Sequence, residues 1–223
     1  MPATARRTPR RTPLRDAFVD LVDALFPPQC PGCGRRGVAV CAACSAALAP
    51  APPSAPPPGV DAWVSPFAYG ATARELVARV KYRNHRAAVP FLAAAIAREV
   101  RHASLAFDAV TWVPASRTRR DARGYDHGAL LARAVARELG APCRALLARG
   151  AGPAQTGRTL GERRSGPQVR ACGRVPARVL VVDDVATTGA TLRAVAHALR
   201  SGGARSVCAA TAARTPPPPA RVT

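Results

Sequence analysis

Two adjacent carboxylates, Asp183 and Asp184, end a continuous apolar run and precede a small polar loop at 187–191. Carboxylates at the end of a buried strand can accept hydrogen bonds from adjacent diol hydroxyls. The threonine hydroxyls and backbone N–H groups of the loop can bind one anion at a helix N-terminus, where the helix dipole favours negative charge. Gly189 allows the backbone to approach that anion closely. A phosphate beside a diol describes a ribose 5-phosphate; the alternative is an ordinary strand–turn–helix with a threonine N-cap and solvated aspartates.

Four cysteines form two C-x2-C pairs: Cys30 with Cys33, and Cys41 with Cys44. Each pair can present two thiolates from one tight turn, and two such turns complete a tetrahedral site for one Zn²⁺. Disulfides are the alternative, but a cytoplasmic chain keeps its thiols reduced, and cysteines this close leave little room for an unstrained framework. Because four thiolates leave no open coordination position, we expect the zinc to be structural.

Apolar periodicity beyond residue 60 predicts strands that alternate with helices. The continuous apolar run at 178–183 is typical of a strand buried on both faces of a parallel sheet. Helices are predicted at about 72–82, 88–101, 127–139 and 189–201, and further strands at about 108–114, 144–147 and 205–211. This alternation indicates an α/β fold in which helices flank a parallel sheet.

Composition divides the chain into four parts. Residues 1–13 are basic and proline-rich and are predicted to be a disordered tail. Residues 14–59 are predicted to hold a first helix, the cysteine pairs and a proline-rich spacer at 49–59, which its prolines keep extended. Residues 60–213 are assigned to the α/β domain, and residues 214–223 to a second proline-rich tail.

The 223-residue chain carries 33 Lys+Arg against 13 Asp+Glu, a formal net charge of +20. Nearly all of the cations are arginines, whose forked donors suit phosphates and carboxylates. The net charge creates a field that attracts polyanions, although a biased amino-acid composition is an alternative source of the excess. No apolar run reaches the roughly 18 residues of a membrane span, and no secretory signal is evident. We therefore expect a cytoplasmic protein without a membrane span.

The segment VLVVDDVATTGATL (179–192) resembles the phosphoribosyl pyrophosphate (PRPP) motif of type I phosphoribosyltransferases. With the upstream cysteines, the chain resembles the ComF family of competence-associated proteins, in which a zinc ribbon precedes a phosphoribosyltransferase domain. Three more segments resemble that family: LVARVKYRNHR (76–86), VPASRTRRDARGYDHGALLA (113–132) and QTGRTLGERR (155–164). The resemblance implies a type I phosphoribosyltransferase-like parallel sheet with a small N-terminal zinc ribbon.

The resemblance also implies a role for each matching residue. Asp183 and Asp184 would hold the ribose hydroxyls and, with Arg117, would be the catalytic residues. The other implied PRPP contacts are Ala115 and Ser116 at the pyrophosphate, and Ala186, Thr187, Thr188, Gly189, Ala190 and Thr191 at the 5-phosphate. Arg119, Arg120 and Arg123 are close enough in sequence to assist these contacts. Residues 150–173 would form a flexible loop that closes over the site. Lys81 would either reach the pyrophosphate or lie on the surface.

Two positions depart from the family pattern. Where the family commonly has Asn-Gln, this chain has Asp126 and His127, and the resemblance therefore assigns neither residue a role. Ala186 replaces a usually larger apolar residue, which we expect to be a minor change. No nucleobase pocket is evident from the sequence, so the acceptor is unidentified.

The implied reaction is displacement of pyrophosphate from the anomeric carbon of PRPP. Mg²⁺ and cationic side chains would stabilise the charge that grows on the leaving group. The alternative is a non-catalytic protein of competence and DNA uptake that binds single-stranded DNA, works with other DNA-processing proteins and uses PRPP as a regulatory or structural ligand. The charge of +20 is compatible with this alternative.

Overall fold

The computed structural model describes residues 27–82, 86–116, 121, 124–149 and 168–216. Five α-helices lie in these ranges: α1 Ala42–Ala46, α2 Ala71–Tyr82, α3 Val89–His102, α4 His127–Leu139 and α5 Ala190–Ser201. The same ranges contain seven strands: β1 Ala62–Val64, β2 Phe67–Ala68, β3 Ala109–Trp112, β4 Leu147–Arg149, β5 Val169–Ala171, β6 Arg178–Ala186 and β7 Ser206–Arg214. A short 3-10 helix, Arg86–Ala88, precedes α3.

A parallel sheet in the order β1–β7–β6–β3 forms the centre of the described chain. β6 pairs with β7 along its whole length and with β3 from Ala109 to Trp112. β1 and β2 pair with successive parts of β7, so they lie along the same side of that strand. β4 and β5 form a separate antiparallel hairpin. Because the four central strands are parallel, their carboxyl ends meet at one edge of the sheet, where α/β proteins bind ligands.

Alternating residues of the central strands build one hydrophobic core on each face of the sheet. On one face, Leu180 and Val182 of β6 pack with α3 and α4. On the other face, Val179 and Val181 pack with α5 and with the β4–β5 hairpin. A strand buried on both faces needs this continuous apolar run, because successive side chains point to opposite faces. The cores therefore fix the position of β6, which carries the aspartate pair.

The predicted α/β fold, a parallel sheet flanked by helices, is confirmed. The structure differs in detail: β6 extends through both aspartates to Ala186, β4 lies at Leu147–Arg149, and β1, β2 and β5 were not predicted from the sequence. The predicted first helix and the two tails fall outside the described residues, except for 214–216, where Arg214 ends β7. None of the helices in the described ranges is long and apolar enough to cross a membrane.

The proline-rich segment at 49–59 forms neither helix nor strand, in line with the predicted spacer, but it packs on the domain. The Ala51 N–H donates to the Pro66 carbonyl at 3.1 Å, and the buried Arg214 guanidinium donates to the Pro52 carbonyl. The Arg200 side chain of α5 donates to the Gly59 carbonyl at 3.0 Å. These hydrogen bonds hold the segment against the domain.

Candidate functional site

Asp183 and Asp184 lie near the carboxyl end of β6, at the edge of the sheet where ligands bind in this architecture. Asp183 is opposite Thr211 of β7 in the ladder. Its side chain accepts a hydrogen bond from the Asp184 N–H at 2.9 Å, which restrains the Asp183 carboxylate. Because neighbouring residues of a strand point to opposite faces, the two carboxylates lie on opposite faces of the sheet. Asp184 points towards α4, as its contact with that helix shows.

The loop between β6 and α5 carries the residues predicted to hold a phosphate. Thr187 and Thr188 are exposed, and the Thr188 hydroxyl accepts from the Ala190 N–H at 3.4 Å. Gly189 is buried, adopts φ 70° and occupies the N-cap position of α5. The first turn of a helix presents N–H groups that suit an anion, and a glycine at this position lets the backbone turn tightly into the helix. The loop and helix therefore have the local geometry of an anion site.

The segment that follows β3 lies beside the aspartates. Trp112, the last residue of β3, is opposite Val182 in the ladder, so the segment that continues to Ala115 and Ser116 leaves β3 at the same edge of the sheet as Asp183. Both residues are half-buried. Four arginines predicted to act here lie outside the described residues, as does the side chain of Lys81: Arg117, Arg119, Arg120 and Arg123.

Asp126 joins the end of β3 to the start of α4. One carboxylate oxygen accepts from the N–H groups of Gly128 at 3.0 Å and Ala129 at 3.2 Å, which makes Asp126 the N-cap of α4. The other oxygen accepts from the Trp112 indole at 3.3 Å and the Ala115 N–H at 3.2 Å. A single carboxylate therefore holds the segment after β3 against the helix.

His127, the first residue of α4, reaches across to β6. Its Nε2 lies 2.6 Å from Oδ2 of Asp184, and the two side chains are only 14% and 12% exposed. The ring nitrogen is the donor, because a carboxylate oxygen can only accept. Two residues to which the resemblance assigned no role, Asp126 and His127, thus connect the segment after β3 with the aspartate pair.

The β4–β5 hairpin opens next to the same edge. The Arg149 side chain, at the end of β4, donates to the Pro114 carbonyl at 2.8 Å. The segment predicted to close over the site begins directly after Arg149; its residues 150–167 lie outside the described chain. The end of that segment differs from the prediction: Val169–Ala171 lies within the predicted flexible loop but forms β5. Arg149 and Val169 are therefore paired with each other next to the end of the segment that follows β3.

The four cysteine sulfurs form a compact cluster. All four Sγ atoms lie within 4.8 Å of one another, and three of the residues are buried. A tetrahedral Zn²⁺ with Zn–S bonds of about 2.3 Å places its sulfurs ~3.8 Å apart, so the arrangement fits that ion. The N–H of Cys41 points to Cys30 Sγ and the N–H of Cys44 to Cys41 Sγ, each at 3.4 Å. The donor set is therefore suited to a structural zinc.

The pKa values of the cysteines also indicate that a cation is needed for all four thiols to ionise. Burial opposes ionisation of Cys30, but hydrogen bonds from the N–H groups of Cys41, Cys33 and Gly32 outweigh it and lower its pKa to about 6. Burial and the neighbouring thiols raise the pKa of Cys44 to about 12. Four thiolates packed together repel one another, so full ionisation needs a positive charge among them. A divalent ion that accepts sulfur ligands supplies it.

Gly32, between Cys30 and Cys33, is a further residue on which this cluster depends. A Cβ built on Gly32 would lie 2.5 Å from Cys44 Sγ. The helix pattern that starts at His127 could have identified Asp126 as an N-cap from sequence alone. The contact between His127 and Asp184 had no such signal, because the two residues belong to different elements.

Part of the chain matches a known protein family. Residues 126–221 match the family model described as phosphoribosyl transferase domain. The match spans α4, β6, α5 and β7, which carry His127, the aspartate pair and the loop at 187–189. No curated protein matches the chain. The match therefore includes the aspartate pair and the loop that follows it, whereas Ala115 and Ser116 lie before the matched residues.

Several solved structures are similar to part of the chain. Glutamine PRPP amidotransferase from B. subtilis, in complex with ADP and GMP, is 26% identical over 56% of this chain and 26% of that chain, with a TM-score of 0.41. A hypothetical protein from Neisseria gonorrhoeae with bound ppGpp is 17% identical over 60% of this chain and 74% of that chain, with a TM-score of 0.36. Hypoxanthine phosphoribosyltransferase from Trypanosoma cruzi is 17% identical over 56% and 64%, with a TM-score of 0.34. The match thus spans about a quarter of the amidotransferase chain.

Proposed function

We propose that this chain binds PRPP with Mg²⁺ and transfers its phosphoribosyl group to an unidentified acceptor, releasing pyrophosphate. The observation that carries the proposal is the sequence of groups along the end of β6. Two carboxylates, Asp183 and Asp184, are followed directly by two exposed threonines and the N-terminus of α5. The phosphoribosyl transferase domain match over 126–221 includes all of these groups.

In this proposal each part of the site recognises one part of PRPP. Asp183 and Asp184 accept hydrogen bonds from the ribose hydroxyls. The N–H groups and hydroxyls at 186–191 bind the 5-phosphate, where the dipole of α5 favours negative charge. Ala115, whose N–H is held by Asp126, and Ser116 bind the pyrophosphate, a role that the sequence resemblance also implies for Arg117. The ribose is thereby fixed with its anomeric carbon towards the segment that follows β3.

The proposed reaction is a displacement at that carbon. The bond between the anomeric carbon and the pyrophosphate oxygen breaks, the pyrophosphate leaves with the electron pair, and the acceptor forms a new bond to the carbon. Mg²⁺, which prefers hard oxygen ligands, would supply positive charge that stabilises the leaving group. The protein contributes by positioning the ribose, which alone can supply much of the rate acceleration.

A titration of the full chain with PRPP and Mg²⁺ tests the proposal. We expect the double variant Asp183→Asn with Asp184→Asn to bind at least about tenfold more weakly, because charged acceptors of the ribose hydroxyls are lost. Asp108→Asn is the matched control: Asp108 bonds Arg178 at the opposite end of β6, so its loss leaves the site intact. Equal binding by wild type and the double variant would place PRPP elsewhere and overturn the proposal.

We also propose that Cys30, Cys33, Cys41 and Cys44 hold one structural Zn²⁺, as in a zinc ribbon. The compact Sγ cluster and the N–H groups directed at its sulfurs support this assignment. Zinc bound by four thiolates stabilises a small module that has little core of its own. A reducing, cytoplasmic compartment would keep the thiols available to the metal.

A second candidate function, DNA handling in competence, is supported by the net charge of +20. If the arginines form a binding surface, affinity for single-stranded DNA should fall steeply with salt as counterions are released. Deletion of residues 1–13 and substitution of Arg119, Arg120 and Arg123 separate two sources of that affinity. Loss with the loop arginines, together with competition by PRPP, would support this candidate, whereas loss with the tail alone would indicate non-specific attraction.

A further inference from the structure

The contact between His127 and Asp184 joins a helix to the strand that carries the candidate ribose site. Nε2 of His127 and Oδ2 of Asp184 are 2.6 Å apart, and both side chains are largely enclosed. A charged or charge-assisted hydrogen bond at this distance is among the stronger polar contacts in proteins. The contact therefore restrains the orientation of the Asp184 carboxylate, which is proposed to bind the ribose.

The backbone of His127 is itself held rigidly. The preceding residue, Asp126, caps α4 through Gly128 and Ala129 and also binds the segment after β3 through the Trp112 indole. Gly128 lets the helix start approach β3 closely: a Cβ there would lie 3.1 Å from the Val113 carbonyl oxygen. The imidazole therefore projects from the N-terminus of α4, whose position relative to the sheet is fixed.

A carboxylate needs such a partner to present its oxygens in one direction. The terminal torsion of an aspartate has a broad energy minimum, so an unrestrained carboxylate samples many orientations. A donor on one oxygen fixes the plane of the group, and binding sites gain affinity when their polar groups are ordered in advance. His127 fulfils this requirement for Asp184.

We propose that His127 is a positioning residue for ribose recognition: it holds the Asp184 carboxylate in the orientation that accepts a hydrogen bond from a ribose hydroxyl. This inference rests on the proposed function, since it assumes that Asp184 faces the sugar. It assigns a role to a position at which the sequence resemblance gave none. Because His127 acts through Asp184, its loss should weaken binding of the ribose hydroxyls and leave phosphate binding at the loop unchanged.

The test compares two small ligands that use different parts of the site. Ribose 5-phosphate contacts both the aspartates and the phosphate loop, whereas inorganic phosphate contacts only the loop. For the full chain, we expect His127→Ala to weaken ribose 5-phosphate binding about tenfold, the effect of losing an ordered charged hydrogen bond. Binding of inorganic phosphate should stay within about twofold of wild type, because the ligand leaves Asp184 untouched.

Two further variants keep the inference falsifiable if His127→Ala folds poorly. His127→Gln retains an N–H donor and should restore ribose 5-phosphate binding to within about threefold of wild type. In an Asp184→Asn background, His127→Ala should cause no further loss, because the positioned carboxylate is already gone. His197→Ala, on the exposed side of α5, is the matched control and should bind both ligands as wild type does.

The outcomes separate the inference from the function on which it rests. If wild type binds ribose 5-phosphate and His127→Ala binds it equally well, the positioning role is overturned and the PRPP site stands. If His127→Ala weakens both ligands equally, the histidine has only a general structural role, and the inference is again overturned. If wild type binds neither PRPP nor ribose 5-phosphate, the proposed function itself fails.

Discussion

The ring of Pro57 lies against Gly189 at the start of α5: a Cβ built on Gly189 would come within 2.7 Å of Pro57 Cγ. Gly189 also adopts φ 70°, a conformation that costs a residue with a side chain about 1 kcal/mol or more. The loop assigned to the phosphate is therefore covered on one side by the proline-rich segment that leads from the cysteine cluster. This contact makes the segment part of the wall of the candidate site.

Gly189→Ala should destabilise the chain by about 2–3 kcal/mol, because backbone strain adds to a clash with Pro57. Urea unfolding of both variants measures the effect, with Gly173→Ala as the matched control. Gly173 has nearly the same backbone angle, φ 68°, but a Cβ there would meet nothing within 4 Å. The free energy of unfolding of Gly173→Ala should therefore fall only by the amount that backbone strain accounts for. Equal destabilisation of the two variants would contradict the packing of Pro57 on the loop.

Gly32→Ala should impair metal binding without removing a sulfur ligand. The added Cβ would lie 2.5 Å from Cys44 Sγ and force the cluster apart. Metal analysis of freshly purified protein should give about one zinc per chain for wild type and clearly less for Gly32→Ala. Gly70→Ala, where a Cβ meets nothing within 4 Å, should retain the wild-type content. Two disulfides and no zinc in wild type would reject the assignment of this cluster.

Asp61→Asn should lower stability at neutral pH and have a smaller effect in acid. Burial alone would raise the pKa of Asp61, but hydrogen bonds from the Val207 N–H and the Ser206 hydroxyl, with the Arg200 guanidinium, hold the pKa below its ordinary value. A carboxyl with a lowered folded-state pKa stabilises the protein above its unfolded pKa of about 3.9, and this contribution is lost as pH falls through the folded pKa.

Because the Asp61 side chain is 45% exposed and solvent screens its charge, we expect a difference in unfolding free energy between wild type and Asp61→Asn of only about 0.5 kcal/mol at pH 7, which shrinks below about pH 4. Urea titrations at several pH values measure it. Glu138→Gln, at an exposed position of α4, is the control and should change little. A difference for Asp61→Asn that persists unchanged down to pH 3 would show that ionisation of this carboxyl is not its source.

Asp126→Ala should destabilise the chain by about 2 kcal/mol, since it removes the N-cap of α4 and the acceptor of two further N–H donors. Asp126→Asn should have an intermediate effect. Its amide oxygen can still cap the helix, but its amide nitrogen cannot accept from the Trp112 indole and the Ala115 N–H. Chemical unfolding of both variants tests this order; an equal loss would show that the cap alone matters.

The sequence predicted best those elements whose boundaries have local causes. The predicted helix at 127–139 coincides with α4, because its apolar periodicity is flanked by Asp126 as N-cap and by Gly140, which adopts φ 64° as the C-cap. The predicted strand at 178–183 was too short. The ladder with β7 continues through Val185 and Ala186, so pairing overrides the local signal of two charged residues.

The remaining features depend on contacts between distant parts of the chain. β1 and β2 contain only three and two residues and are strands because β7 lies beside them. The cysteine cluster could be predicted, since its ligands lie in two short turns. The contact of His127 with Asp184 could not, because it arises only when α4 packs on β6.

Hydrogen–deuterium exchange of the full chain, with and without PRPP and Mg²⁺, tests the central claim most directly. If the loop after β6 binds the 5-phosphate, the N–H groups at 187–191 become hydrogen-bond donors to the ligand and should exchange more slowly when PRPP is present. The proposal predicts this protection in the loop and the first turn of α5, accompanied by protection at Ala115 and Ser116. Saturating PRPP that leaves exchange at 187–191 unchanged would contradict the account.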